Sequence, residues 1–182
     1  GTRACGSIHT SGGWGLATAA VTGKRAGVSA AEYASLQREA ARVAPGKVEE
    51  LAKDLVAPIK RTGGFSPRWV TQLLQNTMMP YFILHIKHGD RLQAALTMVE
   101  FLRDHLVPKI MAKDAHELRL AHETKNMVLC AEMMLRASLA RTESRCQHYR
   151  EDYPRRDDPG WLAWTKVAQG PDGRMTVSRE PV

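Results

Sequence analysis

The chain has 182 residues, of which 43% are hydrophobic and 25% are charged, and its formal net charge is +7 with a pI near 9.6. These values are typical of one globular domain, or of a small domain with an appendage. No apolar run approaches the roughly 20 residues of a membrane-spanning helix, and the glycine-rich N-terminus lacks the pattern of a secretory signal. The basic residues are dispersed among acidic neighbours, so nucleic-acid binding is not expected.

The chain starts at Gly1 rather than at a methionine, and we expect it to be a piece of a larger polypeptide. Its cysteines, Cys5, Cys130 and Cys146, are odd in number and show no CxxC or other metal-ligand spacing. This pattern favours reduced thiols in a cytoplasmic protein over a disulfide scaffold or a metal site.

A glycine-rich stretch, residues 1–13, precedes a segment with small residues at every fourth position: Gly15, Ala19 and Gly23. That spacing predicts a helix whose small face can press against a sheet or another helix. A loop leading into a helix N-terminus leaves backbone N–H groups unpaired, and these can hold an anion or an electron-rich oxygen. His9 lies in this loop as a candidate proton carrier. The alternative is a tight connection in which His9 is merely hydrogen-bonded.

Helical periodicity dominates residues 28–142 and predicts a helical bundle domain. The first predicted helices run from the capping box at Ser29 to about Val43 and from Lys47 to Ile59. A third starts at the N-cap Ser66 and Pro67 and ends at Met78, and an apolar piece from Tyr81 to Ile86 follows. Two more helices run from the N-cap Asp90 to before Pro108 and from the N-cap Asp114 to about Arg141. The last helix is the longest and is apolar over much of its circumference. We therefore expect it at the centre of the bundle, with its methionines filling the core.

Charges of both signs alternate at high density from Arg141 to Asp158, and Tyr149, Tyr153 and His148 lie among them. We call residues 141–158 the polar seam. One interpretation is a seam that lies against another surface, with its arginines and carboxylates neutralising one another. The alternative is a charged surface run with incidental aromatics.

A β-hairpin is predicted after the polar seam. Residues 161–167 and 174–178 have the composition of strands, and residues 170–173 read Gly-Pro-Asp-Gly, which is typical of a turn. An isolated hairpin is marginally stable, so we expect it to pack on the helices or on another part of the protein.

Two histidine pairs, His85 with His88 and His116 with His122, raise the question of a metal site. The His116 segment lacks the second histidine of a zincin helix, and no neighbouring carboxylate or thiolate completes a ligand set. No metal site is therefore expected. A catalytic triad cannot be argued from spacing, because its members meet only in the fold.

The polar seam carries a distinctive set of residues: Arg141, Glu143, Ser144, Arg145, His148, Arg150, Asp152, Pro154, Arg156, Asp157 and Asp158, followed by Trp161 and Leu162. With these residues it resembles the C-terminal region of the succinate dehydrogenase/fumarate reductase flavoprotein family, which includes L-aspartate oxidase and the adenylylsulfate reductase α subunit. Residues 1–27 resemble the last flavin-binding segment of that family, a Gly/Ser-rich loop with a histidine and then a small-residue helix. The two matches occur in the family's order.

The resemblance implies an FAD-dependent oxidoreductase that passes electrons between the flavin and a small substrate. It implies a mainly α fold in three parts: residues 1–27 as the C-terminal segment of an FAD-binding domain, residues 28–142 as a helical domain, and residues 143–182 as the seam and a short terminal hairpin. The seam would dock the helical domain on the flavin domain. The implied partners are the remainder of the flavoprotein chain and an iron–sulfur subunit, in the cytoplasm or at the inner face of the membrane through a partner. This chain by itself would be inactive.

By the same resemblance, residues 6–16 would lie against the flavin ring system. His9 would be the catalytic candidate, and the cofactor-binding candidates would be Gly6, Ser7, Ser11, Gly12, Gly13, Trp14, Gly15 and Leu16. Backbone N–H groups at the start of the helix could stabilise negative charge at N1 and C2=O of the flavin.

Some positions depart from the family pattern. Dicarboxylate-handling members carry an arginine shortly after the loop histidine, whereas residues 10–13 here read Thr-Ser-Gly-Gly. Thr2 and Arg3 replace the usual glutamate, and Cys146 stands where a glycine commonly follows Glu-Ser-Arg. An adenylylsulfate-reductase-like flavoprotein is therefore an open alternative, and a helical interaction module with a basic docking surface is the alternative from another class.

Overall fold

A computed structural model describes residues 14–37, 39 and 42–182 of the chain. The chain divides into two compact units between Glu50 and Leu51. The helices are α1 (Trp14–Leu36), α2 (Lys47–Lys60), α3 (Pro67–Met78), α4 (Tyr81–Leu84), α5 (Gly89–Phe101), α6 (Ala115–Ala140) and α7 (Asp158–Trp161), and the strands are β1 (Ile86–Lys87), β2 (Tyr149–Arg150), β3 (Ala163–Gln169) and β4 (Met175–Pro181). This architecture confirms the predicted mainly α fold. None of the helices in the described ranges is long and apolar enough to cross a membrane.

The first unit contains one long helix, α1, which is continuous from Trp14 to Leu36. The prediction that a helix begins at the capping box of Ser29 and runs to Val43 is wrong at both ends. A capping residue starts a helix only where the chain before it has left the helical conformation. Residues 15–28 are rich in alanine and contain no proline, so nothing forces the helix to break before Ser29. Residue 28, the first of the predicted helical domain, lies inside α1.

The helix starts of the second unit follow local capping chemistry, with one correction. Ser66 is the N-cap of α3, and Asp114 Oδ1 accepts the Glu117 N–H at the start of α6 at 2.8 Å, as predicted. The prediction of Asp90 as an N-cap is wrong. His88 is the N-cap of α5, and its Nδ1 accepts the Asp90 N–H at 3.3 Å, because the helix starts two residues earlier than the carboxylate pattern indicates.

Helices α3, α5 and α6 form the hydrophobic core, and α6 lies at its centre. The buried apolar side chains of this core include Val70, Leu74, Leu92, Leu96, Val99, Leu102, Ile110, Val128 and Leu135. Beyond Phe101 the chain continues through a π-helical turn, Leu102–Leu106, and a 3-10 turn, Val107–Lys109. The first of these turns keeps Leu102 and Leu106 in the core.

The methionines of α6 do not all fill the core as predicted. Met127 and Met134 are 39% and 50% exposed, and Leu129 is 49% exposed. The buried stripe of α6 instead carries Ala121, Thr124, Val128, Ala131 and Leu135, spaced at helical intervals. This buried stripe packs into the core, whereas the apolar side chains of Met127, Leu129 and Met134 lie on the surface of the described unit.

The predicted hairpin is confirmed. Strands β3 and β4 pair antiparallel from Ala163 opposite Pro181 to Gln169 opposite Met175, and both strands contact α6. The turn uses Gly173 at a φ of +77°, a conformation that glycine adopts without steric cost. Trp161 was predicted in the first strand but belongs to the short helix α7, where Asp157 Oδ1 accepts the Gly160 N–H at 3.0 Å.

A short parallel pair of strands was not predicted. Ile86 of β1 lies opposite Tyr149 of β2, and Lys87 lies opposite Arg150. This pair fixes the polar seam against the segment that leads into α5. Two residues per strand give too short an alternation to be recognised in a sequence.

Candidate functional site

The residues predicted to contact a flavin lie mostly outside the described part of the chain. His9 and the candidates Gly6, Ser7, Ser11, Gly12 and Gly13 all fall within residues 1–13, which the structure does not describe. Trp14 is the first residue of α1, followed by Gly15 and Leu16 in the first turn. The Leu16 side chain is 79% exposed. The roles of these residues stay predictions.

The described functional candidate is the polar seam, and Glu143 lies at its centre with no exposed surface. Its carboxylate accepts hydrogen bonds from Arg145 Nε at 2.7 Å, Arg145 Nη2 at 3.0 Å, the Asp157 N–H at 2.8 Å and Arg141 Nη2. Burial alone would raise the pKa of this carboxyl, but the donors, Arg145 foremost, outweigh burial and lower the pKa of Glu143 to about 2.

A second ion pair of the seam joins the buried Arg150 to Asp152, which is partly open to solvent. The Arg150 side chain is 3% exposed and donates through Nε and Nη2 to the two oxygens of Asp152, at 2.8 and 2.6 Å. Asp152 Oδ2 also accepts the N–H of Gly89, at 3.0 Å. The Arg150 guanidinium is the first cause that holds the pKa of Asp152 well below its usual range, and the Gly89 N–H adds to it.

Arg141 connects the end of α6 to the terminal hairpin. Its Nη1 donates to the Ala163 carbonyl at 3.0 Å, and its Nη2 donates to the Trp161 carbonyl at 2.9 Å. The guanidinium carbon lies 5.2 Å from the centroid of the Trp161 ring, within the range of a cation–π contact. The Trp161 Nε1–H donates to Thr142 Oγ1 at 3.1 Å. These contacts explain why the aromatic residue follows the charged run.

The arginines and carboxylates of the seam neutralise one another, as one of the two sequence interpretations predicted. Asp158 accepts from both Arg145 and Arg156, at 2.7 and 2.6 Å. Glu143 and Arg150 are buried, so the alternative of a charged surface run with incidental aromatics does not describe these two residues, whereas Glu151, Arg155 and Arg156 are exposed. Carboxylates engaged in this way are poorly suited to accept a proton from a substrate, so the arrangement serves structure better than acid–base chemistry.

One buried charge cluster was missed from the sequence. Glu132 of α6 is 2% exposed and accepts from Arg103 Nη1 at 2.6 Å and from Arg136 Nε at 2.8 Å, while Arg136 also donates to Glu100 at 2.5 Å. The spacing of Glu132 and Arg136 by four residues is a visible signal for a helical ion pair. Arg103 has no such signal, because it lies 29 positions from Glu132 on a different element and meets it only through packing.

The histidines considered as metal ligands have other partners. His116 Nε2 lies 3.4 Å from Arg68 Nη2, His122 Nε2 lies 2.8 Å from the Leu55 carbonyl, and the His85 ring lies 4.9 Å from the Tyr81 ring. Within the described ranges, no group of three or more His, Cys, Asp or Glu side chains could hold a metal ion.

A groove of about 260 Å³ lies between α3 and α6. Its lining combines polar side chains, among them Arg68, Gln72 and Glu123, with the apolar side chains of Leu120 and Met127. At its floor, Thr71 and Thr124 share a hydrogen bond of 2.8 Å between their hydroxyl oxygens. None of the residues predicted as a site lines this groove.

The chain is similar to flavoproteins. The family model described as fumarate reductase flavoprotein C-term matches residues 71–182. The chain is 33% identical to a subunit of the fumarate reductase (CoM/CoB) of Methanothermobacter marburgensis, over 82% of this chain and 28% of the relative. It is 28% identical to the fumarate reductase flavoprotein subunit of Mycobacterium tuberculosis, over 100% of this chain and 33% of the relative.

Among solved structures, the Sdh1 complex of Mycobacterium smegmatis in the apo form is similar over 91% of this chain and 29% of the matching chain. The TM-score is 0.79 at 26% sequence identity. The chain therefore spans about a third or less of the length of the relatives it matches.

Proposed function

Because this chain belongs to the fumarate reductase flavoprotein C-terminal family, we propose that it forms the C-terminal part of an FAD-dependent oxidoreductase. The whole protein would transfer electrons between the flavin and a small substrate. The observation that carries this proposal is the family match over residues 71–182, which contains the entire polar seam. The names of the relatives, which are fumarate reductase subunits, support the same class of activity.

In this proposal the chain has three parts. Residues 1–27 complete an FAD-binding domain, residues 28–142 form the helical domain, and residues 143–182 form the seam and the hairpin. The seam holds the ends of the helical domain together through its buried ion pairs. Its role is structural, and the docking of the flavin domain would depend on the surface that these ion pairs keep in shape.

The flavin would be held by the stretch from Gly6 to Leu16. The start of α1 fits such a group, because the first N–H groups of a helix have no partner within the helix and the helix dipole favours negative charge there. Bound FAD would supply the electron-carrying chemistry. His9 would hold or move a proton next to the flavin or the substrate, while Ser7, Ser11 and the glycines would orient the ring through backbone contacts.

The full-length protein tests this proposal. We expect it to show the visible absorbance of a bound flavin after purification, or to acquire that absorbance when FAD is added. Reduction with dithionite should bleach the band, and reoxidation by fumarate would identify a dicarboxylate as electron acceptor. A colourless full-length protein that takes up no added FAD would contradict the proposal.

The class of substrate is a separate question within this proposal. The Thr-Ser-Gly-Gly sequence of residues 10–13 has no arginine to bind a carboxylate, so an adenylylsulfate-reductase-like activity is the second candidate. Comparison of succinate with sulfite plus AMP as electron donors for the full-length enzyme distinguishes the two. A flavin that neither donor reduces would reject both substrates and leave the flavoprotein assignment intact.

The proposed partners are the rest of the flavoprotein chain and an iron–sulfur subunit that relays electrons. The proposed location is the cytoplasm, or the inner face of the membrane through that partner. Affinity purification of the full-length protein from its native cells, followed by iron and acid-labile sulfide analysis, tests the partner. Absence of both in an intact complex would contradict it.

A further inference from the structure

His148 lies where the polar seam meets the end of α6. Its Nε2 is 3.0 Å from the carbonyl oxygen of Arg141, the C-cap residue of that helix. Because a carbonyl oxygen only accepts hydrogen bonds, Nε2 carries the hydrogen and Nδ1 holds the lone pair of the neutral ring. Arg150 Nη1 lies 3.4 Å from the same carbonyl. His148 directly precedes β2, so its contact helps to place that strand.

The charged groups around His148 are predominantly cationic. The positive charges that act on His148 are those of Lys87 in β1, Arg150 in β2 and Arg141, the C-cap of α6. The two arginines have their own carboxylates, Glu143 for Arg141 and Asp152 for Arg150.

Lys87 differs from these arginines. Its Nζ donates to the Leu84 carbonyl at 2.8 Å, and within the described ranges it forms no ion pair with a carboxylate. A proton added to His148 would therefore join an uncompensated positive charge. Burial, first, and the nearby cations lower the pKa of His148, although the hydrogen bond to the Arg141 carbonyl acts in the opposite direction.

We propose that His148 is an acid-sensitive catch, which in its neutral form holds β2 of the polar seam against β1 and which releases that pairing when Nδ1 takes up a proton. The element that opens is small. It consists of the pairs Ile86–Tyr149 and Lys87–Arg150, together with the hydrogen bond from the Glu151 N–H to the Lys87 carbonyl at 2.8 Å. The hydrophobic core between α5 and α6 is a separate set of contacts and stays closed.

The direction of the effect follows from proton linkage. In the open form the imidazole returns to water and to its ordinary pKa, so the open form binds the proton more tightly than the closed form. The population of the open form therefore rises as the pH falls below about 6.5. The dipole of α6 favours a cation at the C-terminus of the helix, so it favours the protonated imidazole in the closed form. Burial and the cationic neighbours disfavour that proton, and their effect on the pKa of His148 is the larger one.

Hydrogen exchange of the full-length protein tests the catch. Protection of a peptide covering residues 145–153 is compared at about pH 7 and about pH 5, after correction for the intrinsic pH dependence of exchange. We expect the protection of this peptide to fall by roughly tenfold at the lower pH. A peptide within α6, residues 118–128, should change little and reports on global unfolding.

Two variants determine whether His148 is responsible. In His148→Gln the side-chain amide can still donate to the Arg141 carbonyl but does not titrate, so the acid-induced loss of protection should disappear. The matched control is His122→Gln, because His122 also donates to a backbone carbonyl, that of Leu55, but in an exposed contact, whereas the contact of His148 is part-buried. This control should keep the wild-type loss.

An equal loss of protection in His148→Gln and wild type would overturn the proposal, as would an unchanged wild-type protein. If the peptide 145–153 of His148→Gln is already unprotected from hydrogen exchange at the higher pH, the variant Lys87→Gln tests the proposal instead. Removal of the uncompensated cation should reduce the acid-induced loss of protection, and an unchanged loss would overturn the proposal in that case too.

Discussion

Arg150 and Asp152 form one ion pair that caps the opposite ends of two helices. The Arg150 guanidinium donates to the Ser138 and Leu139 carbonyls, at 2.7 and 3.3 Å, at the C-terminus of α6. The Asp152 carboxylate accepts the Gly89 N–H at the N-terminus of α5. Each charge therefore lies at the helix end whose dipole favours it, and the bidentate contact between the two joins the helices.

Removal of the negative charge of this pair should destabilise the protein. In Asp152→Asn the buried Arg150 loses its counter-ion, and we expect the free energy of unfolding to fall by about 3 kcal/mol. Denaturant unfolding of the full-length protein measures this change. Glu123→Gln is the matched control, because Glu123 forms an exposed pair with Arg119 on one helix and should cost about 0.5 kcal/mol or less. Equal losses in the two variants would show that burial of the pair has no energetic consequence.

The low pKa of Glu143 predicts acid sensitivity. A carboxylate with a folded-state pKa of about 2 and an ordinary value of 4.5 stabilises the fold above pH 4.5, and this contribution is lost as the pH falls from 4.5 to 2. The shift corresponds to about 3 kcal/mol. Free energies of unfolding measured across this range should fall more steeply in the wild type than in Glu143→Gln, which should be less stable at neutral pH. Parallel plots of the free energy of unfolding against pH in the two proteins would contradict the low pKa of Glu143 in the folded state.

Gly63 and Gly64 are adjacent, but only Gly64 lies close to another part of the backbone, the Lys109 carbonyl. Gly64 has a φ of +151°, and a Cβ placed there would lie 2.1 Å from the Lys109 carbonyl oxygen. Gly64→Ala should therefore destabilise the protein by at least about 2 kcal/mol in denaturant unfolding. Gly63 has open space around it, so Gly63→Ala is the matched control and should change stability by less than about 1 kcal/mol. A tolerated Gly64→Ala would mean that the turn before α3 can move away from Lys109.

Cys146 occupies a backbone conformation that favours glycine. Its φ of +52° places it in the turn that the Arg145 and His148 backbones close with hydrogen bonds of 2.8 and 3.0 Å. Cys146→Gly should relieve this strain and raise the melting temperature, with a gain of about 0.5 kcal/mol after the added chain entropy of glycine. Cys130→Gly, also at an exposed cysteine but inside α6, should lower stability by about 1 kcal/mol. A change in stability of the same sign in both variants would contradict this explanation.

His9 and Arg145 should separate activity from stability. If His9 handles a proton beside the flavin, His9→Ala in the full-length enzyme should lower turnover by at least about a hundredfold with little change in melting temperature. Arg145→Ala leaves the buried Glu143 with one fewer cation and should mainly lower stability. Unchanged turnover in His9→Ala would return His9 to a structural role. A normal melting temperature with lost turnover in Arg145→Ala would place Arg145 in the active site.

Local signals predicted several elements correctly. Ser66 with Pro67, Asp114 and the Gly-Pro-Asp-Gly turn act on neighbouring residues, so their effect can be read from the sequence. The same logic failed at Ser29, because the chain before it is already helical and α1 continues through the capping pattern. It also failed at Asp90, where His88 takes the capping position.

The amino-acid sequence by itself determined the family, the helical class and the presence of a densely charged seam, because these depend on residue identity and on spacing along the chain. The tertiary structure alone decided which charges meet. Asp152 binds Gly89 across 63 positions, and Arg103 reaches Glu132 through a π-helical turn. Such partners are chosen by how the helices pack, and burial then fixes both their energy and their pKa values.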